Sequence, residues 1–144
     1  TYKYLNTISK KINAFGGGLL IIDYGYLEKE MKNSLQSVYK HRFNNILKNF
    51  SKADITYNIS FDLLKKISKK LKLKVAGLTT QKKFLTNMGI VQRANILANN
   101  LKFSEKANIY YRLNRLIDNK SMGDLFKVML ITKKNNKFKI GFEN

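Results

Sequence analysis

The sequence predicts an α/β fold with a mixed sheet and helical insertions, and three stretches carry that expectation. An amphipathic helix, a glycine stop and a continuous apolar strand follow one another between Tyr4 and Asp23. A capped helix and a second apolar run, Leu73–Leu78, come next. A third apolar run, Leu125–Thr132, then enters a hairpin that makes the closing pair antiparallel. Helix, turn and strand in alternation are the mark of this fold class.

From Tyr4 to Phe15, Leu5, Ile8, Ile12 and Phe15 recur every three or four residues and so share one helical face. Gly16–Gly17–Gly18 ends the helix, because glycine accepts the left-handed conformation of a helix terminus. Leu19 to Asp23 is apolar without alternation and is expected to be buried on both faces, parallel to Leu73–Leu78 or its neighbour, with Leu125–Thr132 antiparallel in the same sheet. Glu28 to Thr56 is less regular and is expected to be a long excursion with short helices. Ser60 is placed to cap a helix reaching Leu71, with Asp62 in its first turn and Lys69 and Lys70 in its last, each sign matching the helix dipole. Its buried stripe is expected to be Leu63, Leu64, Ile67 and Leu71.

Thr80 caps a short helix ending at Gly89, Val91–Leu101 forms another, and Ser104 with Glu105 opens a third that runs to about Ile117. Asn135–Asn136 make the turn of the final hairpin, with Phe138–Phe142 as partner strand. Tyr110 and Tyr111 fall at helical spacing and are expected in the core, and at least two of Tyr57, Tyr110 and Tyr111 should be substantially buried.

Composition narrows the function classes. The chain has 144 residues, 44% hydrophobic, which suits one globular domain. No apolar run approaches the ~20 residues of a membrane-spanning helix, and no basic–apolar–small signal pattern follows Thr1. There is no cysteine, hence neither a disulfide framework nor a thiolate nucleophile, and the lone His41 cannot build a zinc site without several carboxylates. The net charge of +19 is the footprint of a nucleic-acid binder. Yet 24 Lys stand against 4 Arg, with 17 Asn, 14 Ile and neither Pro nor Trp. That skew follows the codons of an AT-rich genome, whereas a selected phosphate-binding surface recruits arginine for its bidentate geometry. A non-catalytic basic module, binding nucleic acid or acidic protein surfaces, stays as the alternative to the reading below.

The strongest candidate for chemistry is Asp23–Tyr24–Gly25, at the carboxyl end of the first strand, where open α/β sheets bind ligands. The Asp either orients a ligand or accepts hydrogen bonds from backbone amides of its own turn. Gly16–Gly17–Gly18 precedes a strand instead of following one, which is the wrong order for a phosphate cradle. His41 beside Arg42 is a general base, a contact for an acidic substrate or a surface histidine, and Asp54 and Thr56 precede a helix cap. None of these makes a paired-carboxylate, triad or metal constellation, so no catalytic residue is assigned.

Several blocks resemble one family. Gly16–Gly17–Gly18–Leu19–Leu20–Ile21–Ile22–Asp23–Tyr24–Gly25–Tyr26 is similar to the GGGxLLIDYGY segment of the MidA-like class I S-adenosylmethionine (SAM)-dependent methyltransferases. Ser34–Val38 with His41–Arg42–Phe43 resembles its TLQAV…HR stretch, and Ala53 to Phe61 its ADLTAHVDF. Gly77 to Leu85, which includes Gln81, parallels GPVTQGEFL, and Met122–Val128, which includes Gly123, matches MGxLFKV. The blocks keep the family's order from about Gly16 to Thr132.

The resemblance implies a Rossmann-like methyltransferase sheet. Leu19–Asp23 would be its fifth strand, and Leu73–Leu78 and Leu125–Thr132 its last two. It implies residues 1–144 as the C-terminal portion of one catalytic domain, without the glycine-rich SAM motif. It implies SAM as the full-length cofactor, bound weakly or not at all by this chain alone, with Asp23, Tyr24 and Gly25 as cofactor contacts. His41, Asp54, Thr56, Gln81 and Gly123 are the further motif candidates. The implied partner is an arginine-bearing protein, by resemblance a subunit of respiratory complex I; the chain would be a fragment of a longer protein, one half of a split gene whose N-terminal half is a separate chain, or the product of a decaying gene, down to a degenerate remnant without function. No membrane or nucleic-acid partner is implied, and the location is bacterial cytoplasm or mitochondrial matrix. Where the family has Asp, His, Asp and Pro, this chain has Asn33, Asn58, Ser60 and Leu78. Neither amide nor hydroxyl can replace a titrating group in acid–base work.

Overall fold

A computed structural model describes residues 2–28 and 33–143. Helix α1 (Tyr2–Phe15) stops where Gly16 and Gly17 take φ of +83° and +86°, and strand β1 (Gly18–Tyr26) follows. Next come three short strands, β2 (Gln36–Tyr39), β3 (Arg42–Asn44) and β4 (Asp54–Thr56), and the two-residue β5 (Ile59–Ser60). Helix α2 (Phe61–Lys70) leads into β6 (Lys74–Thr80). Four helices, α3 (Gln81–Asn87), α4 (Ile90–Ala98), α5 (Phe103–Ile117) and α6 (Met122–Leu125), precede β7 (Phe126–Thr132).

The main sheet has the order β5-β1-β7-β6. Strand β7 is antiparallel to both neighbours, running from Gly18↔Thr132 to Tyr24↔Phe126 on one side and pairing with β6 on the other. Strands β1 and β6 are therefore parallel to each other, as expected, with β7 inserted between them. Only Gly25 and Tyr26 pair with β5. Among the described residues, the rest of β1 has an open outer edge.

Alternation along β7 builds two layers. Met129 and Ile131 face α1 and α2, forming a core with Leu5, Ile12, Phe61, Leu64 and Leu73. Val128 and Leu130 face the other way and are also buried. There α3 packs on β6 and β7, and Phe142 lies over Gly77 with its ring 5.1 Å from Phe84. Basic residues occur in both layers, Lys10, Lys11, Lys65 and Lys69 in one and Lys82, Lys83 and Lys106 in the other.

Several expectations are corrected. Leu19–Ile22 is not buried on both faces: Leu20 and Ile22 are 45% and 48% exposed, because the second helical layer covers β6 and β7 but not β1. Between Gln36 and Thr56 the chain forms a separate three-stranded antiparallel sheet, β3-β2-β4, and not short helices. Its β2–β3 turn places Lys40 and His41 at φ of +48° and +62°. Phe138–Phe142 is not a strand: turns at Lys133–Asn136 and Lys139–Phe142 fold the segment back so that the Phe142 ring fills the space above Gly77.

Leu63 is exposed on α2, whose buried positions are Phe61, Leu64 and Ser68. Tyr57, Tyr110 and Tyr111 are all exposed, since α5 turns only Leu113 fully inward and Tyr110 spends its hydroxyl on Asn95 Oδ1 of α4 at 3.0 Å. The expected caps are present: Ser60 Oγ accepts from the Leu63 amide and Thr80 Oγ1 from that of Lys83.

Candidate functional site

The carboxyl end of β1, the mini-strand β5, the start of α2 and the end of β6 converge on one side of the sheet. The convergence depends on Gly25. It lies opposite Ile59 in the parallel pairing, and a Cβ there would collide with the Ile59 carbonyl oxygen and the Phe61 ring. Close approach of two backbones demands glycine at this point. Ser60, locked to Tyr26 by the same pairing, then starts α2 as its cap.

Two cavities open at these strand ends. The larger, about 710 Å³, is bounded by Leu35, Tyr57 and Leu63, with Ser34 and the Asp62–Lys66 ion pair at its wall. The smaller, about 500 Å³, gathers Glu28, Thr80, Asp124 and Lys127 around Gly25. The Lys127 ammonium donates to the Asp124 carbonyl oxygen. Tyr26 and Asn58 line both cavities. Volumes of this size suit small-molecule or peptide ligands, and sheet ends of this kind are where α/β proteins place them.

The residues singled out in the sequence separate into groups. Asp23, Tyr24 and Thr56 do meet, around a third cavity of about 160 Å³, where Asp23 Oδ1 accepts from the Tyr24 amide at 2.8 Å. Of the two roles open to Asp23, that bond is the backbone one. Tyr24 packs edge-on against Phe126 with centroids 5.6 Å apart. His41 is exposed at the β2–β3 turn and Asp54 is exposed on β4, and neither lines a strand-end cavity. Gln81 is buried and donates from Nε2 to the Leu116 carbonyl at 2.9 Å, tying α3 to α5. Gly123 has no room for a Cβ against the Ile117 and Asp118 carbonyls. Both residues are occupied in packing.

The sequence marks neither Tyr26 nor Asp124 as a site residue, and Thr80 only as a helix cap, because only the sheet register brings them together. One signal did exist. Asn33, Asn58 and Ser60, three of the four departures from the resembled motif, all line the larger cavity. Its chemistry is consequently neutral at the three positions where the family pattern has titrating groups.

A ligand the size of SAM is normally enclosed by several strand ends. The carboxyl ends of β1, β5 and β6 lie on this side of the sheet, and among the described residues no glycine-rich turn follows a strand; the triplet at Gly16 precedes one.

Comparison with known proteins agrees with this architecture. The family model for S-adenosyl-L-methionine-dependent methyltransferases matches residues 1–79. The protein arginine methyltransferase NDUFAF7, mitochondrial, of Xenopus tropicalis is 30% identical over 126 residues, which cover 85% of this chain and 28% of the relative. The Mus musculus protein of the same name is 28% identical over 123 residues, again 85% of this chain and 28% of the relative. This chain thus spans little more than a quarter of the length of these relatives. A crystal structure from Burkholderia thailandensis bound to S-adenosyl-homocysteine superposes with a TM-score of 0.76 at 21% identity, covering 99% of this chain and 36% of that one. At that identity the superposition speaks for the fold alone. The family match spans more than half the chain, and with the strand order and the ordered motifs from Gly16 to Thr132 it makes the chain a member of the MidA-like family of SAM-dependent methyltransferases.

Proposed function

We propose that this chain forms the substrate-facing, sheet-closing part of a SAM-dependent protein arginine methyltransferase. In this reading a segment carrying the glycine-rich SAM motif, on the same polypeptide or a separate one, pairs along the outer edge of β1. The observation that carries it is that edge: Gly18–Tyr24 pairs only with β7 among the described residues, and the exposed Leu20 and Ile22 stand beside it. Unpaired strand edges flanked by apolar side chains are sites of strand addition. Arginine as the methylated residue, and mitochondria as the location in a eukaryote, are supported by the relatives' names. A subunit of respiratory complex I as substrate belongs to the same proposal and rests on the family resemblance.

The test is calorimetry followed by transfer of a radiolabelled methyl group. Residues 1–144 alone should bind SAM weakly or not at all. Adding the segment that bears the SAM motif should yield tight binding and labelling of an arginine-containing protein. Tight binding by residues 1–144 alone would overturn the placement of the cofactor. Absence of transfer from the combined protein would overturn the enzymatic reading.

A second reading, a basic module for nucleic acid, draws support from the exposure of Tyr57, Tyr110 and Tyr111. Against it, Tyr110 is already bonded to Asn95, Tyr57 lines the larger cavity, and lysines occur on helices of both layers.

A further inference from the structure

The three-stranded sheet and its β3–β4 loop carry side chains that the strand-end site does not use. Phe43 on β3 is 84% exposed, and Leu47 and Phe50 in the loop are 79% and 77% exposed. Phe43 borders two hollows at the rim of this sheet. One, about 400 Å³, is also lined by Tyr39, Lys40 and Arg42; the other, about 500 Å³, by Leu35, Ile46 and Leu47. Cationic and apolar side chains thus adjoin through one ring.

The loop is held in this form. Asn44 Nδ2 donates to the Lys48 carbonyl at 2.9 Å, Asn45 Oδ1 accepts from the Leu47 amide at 2.9 Å, and the Lys52 and Ala53 amides donate to the Asn49 carbonyl. Asn49 and Ser51 take φ of +56° and +63°, a region that residues other than glycine enter rarely. The polar groups are tied into turns while Leu47 and Phe50 face water, a cost that an apolar phase would remove. Strand alternation puts Phe43 with Val38 on one face and Ile55 with Ser37 on the other. Ile55 borders the Asp23–Tyr24 cavity, so Phe43 is turned from the strand ends.

Charge and shape select the partner. Between Gln36 and Thr56, Lys40, Arg42, Lys48 and Lys52 stand against the single carboxylate of Asp54. That balance, on a chain of net charge +19, repels a second copy and attracts an anionic surface. Nucleic acid rewards stacking rings, and the aliphatic Ile46 and Leu47 offer none. A protein partner needs a fitted pocket for each protruding side chain, whereas a bilayer interface yields around them. Among the described residues no helix is long and apolar enough to cross a membrane, so the contact is with its surface.

We propose that the rim of the β3-β2-β4 sheet docks on an anionic lipid bilayer. Phe43, Leu47 and Phe50 enter the boundary between headgroups and acyl chains, and Lys40, Arg42, Lys48 and Lys52 meet the phosphates. This surface is separate from the strand-end site and does not depend on the methyltransferase reading.

The test is co-sedimentation of the 144-residue chain with vesicles of phosphatidylcholine, alone or mixed with phosphatidylglycerol, at about 0.15 M salt. Binding should be at least about tenfold tighter to the mixed vesicles. Phe43→Ser, Leu47→Ser and Phe50→Ser should each weaken it about three- to tenfold, with the melting temperature unchanged because all three side chains are exposed. Lys40→Gln with Arg42→Gln should weaken it about tenfold or more. The same loss of charge on α1, Lys10→Gln with Lys11→Gln, should change it less than about twofold, since cations away from the surface are screened. The chain has no tryptophan, so Leu47→Trp reports insertion by a blue shift of its emission on the mixed vesicles. An equal loss from the α1 pair, binding untouched by the three Ser variants, or an unshifted emission would reduce the contact to net charge and overturn the inference. Absence of vesicle binding overturns it as well. So does binding abolished by adding the SAM-motif segment, which would show that the segment covers the rim. Single-stranded DNA bound more tightly than the mixed vesicles, with the same dependence on Phe43, would give the rim to nucleic acid instead.

Discussion

Replacing Gly25 by alanine tests how the strand-end region is assembled. The added methyl has nowhere to go: it meets the Ile59 carbonyl oxygen on one side and Phe61, which is 0% exposed, on the other. Strand β5 must move off β1, taking Ser60 and the start of α2 with it. Overpacking of this kind costs about 1–3 kcal/mol, and loss of the Ser60 cap adds about 1 kcal/mol. The ordinary benefit of replacing a strand glycine, about 0.5–1 kcal/mol, is smaller. The net loss is about 1–3.5 kcal/mol, a fall in Tm of about 3–12 °C for a chain of this length. Thermal unfolding followed by circular dichroism reads it directly, with Ser60→Ala as the control for the cap alone. A Gly25→Ala chain as stable as the parent would refute the close approach and, with it, the way Tyr26 and Asn58 are brought together.

Other expectations follow from the same geometry. Phe142→Ala should cost about 3–4 kcal/mol by uncovering Gly77; a loss below about 1 kcal/mol in urea titration would mean the final segment does not pack there. Gln81→Ala should lower stability by about 1–2 kcal/mol through the orphaned Leu116 carbonyl, whereas a loss of activity with unchanged stability would return Gln81 to the functional set. Leu20→Lys with Ile22→Lys should change the stability of the chain by less than about 1 kcal/mol yet abolish association with a SAM-motif segment in sedimentation analysis; retained association would place that partner elsewhere. DNA or RNA retention on filters should be weak and collapse between 50 and 200 mM salt; sub-micromolar affinity at physiological ionic strength, lost on Tyr110→Ala or Tyr111→Ala, would favour the basic-module reading.

What could be read from the sequence was local chemistry. Ser60 and Thr80 are helix caps because a hydroxyl before a helix accepts a free amide, and that needs no knowledge of the fold. Strands β1, β6 and β7 were visible as apolar runs, though their length could not say which faces would be covered. Leu20 and Ile22 look like core residues until the layer beside them is known. Strands β2, β3 and β4 were not visible, since three or four residues hold no period, and their turn at Lys40–His41 lacks the Asn-Gly signal of a tight hairpin. The site was less legible than the fold. Tyr26, Asn58, Thr80 and Asp124 come from four separate elements or loops and meet only through register. Asn58 alone had been marked, as a departure from a family pattern.

The position of β7 has a consequence for how the protein is made. The strand that joins β1 to β6 follows both of them in the chain, so neither has this shared partner until Thr132 leaves the ribosome. During translation the helices can form locally, but β1 and β6 wait as unsatisfied edges, and the contacts that close the sheet span almost the whole chain. Such topologies fold slowly and expose their strands meanwhile. A premature stop before Phe126 would remove the middle of the sheet and leave two strands with nothing between them. Chaperone dependence during synthesis, and complete intolerance of C-terminal deletion past Thr132, are the cellular marks this order of assembly should leave.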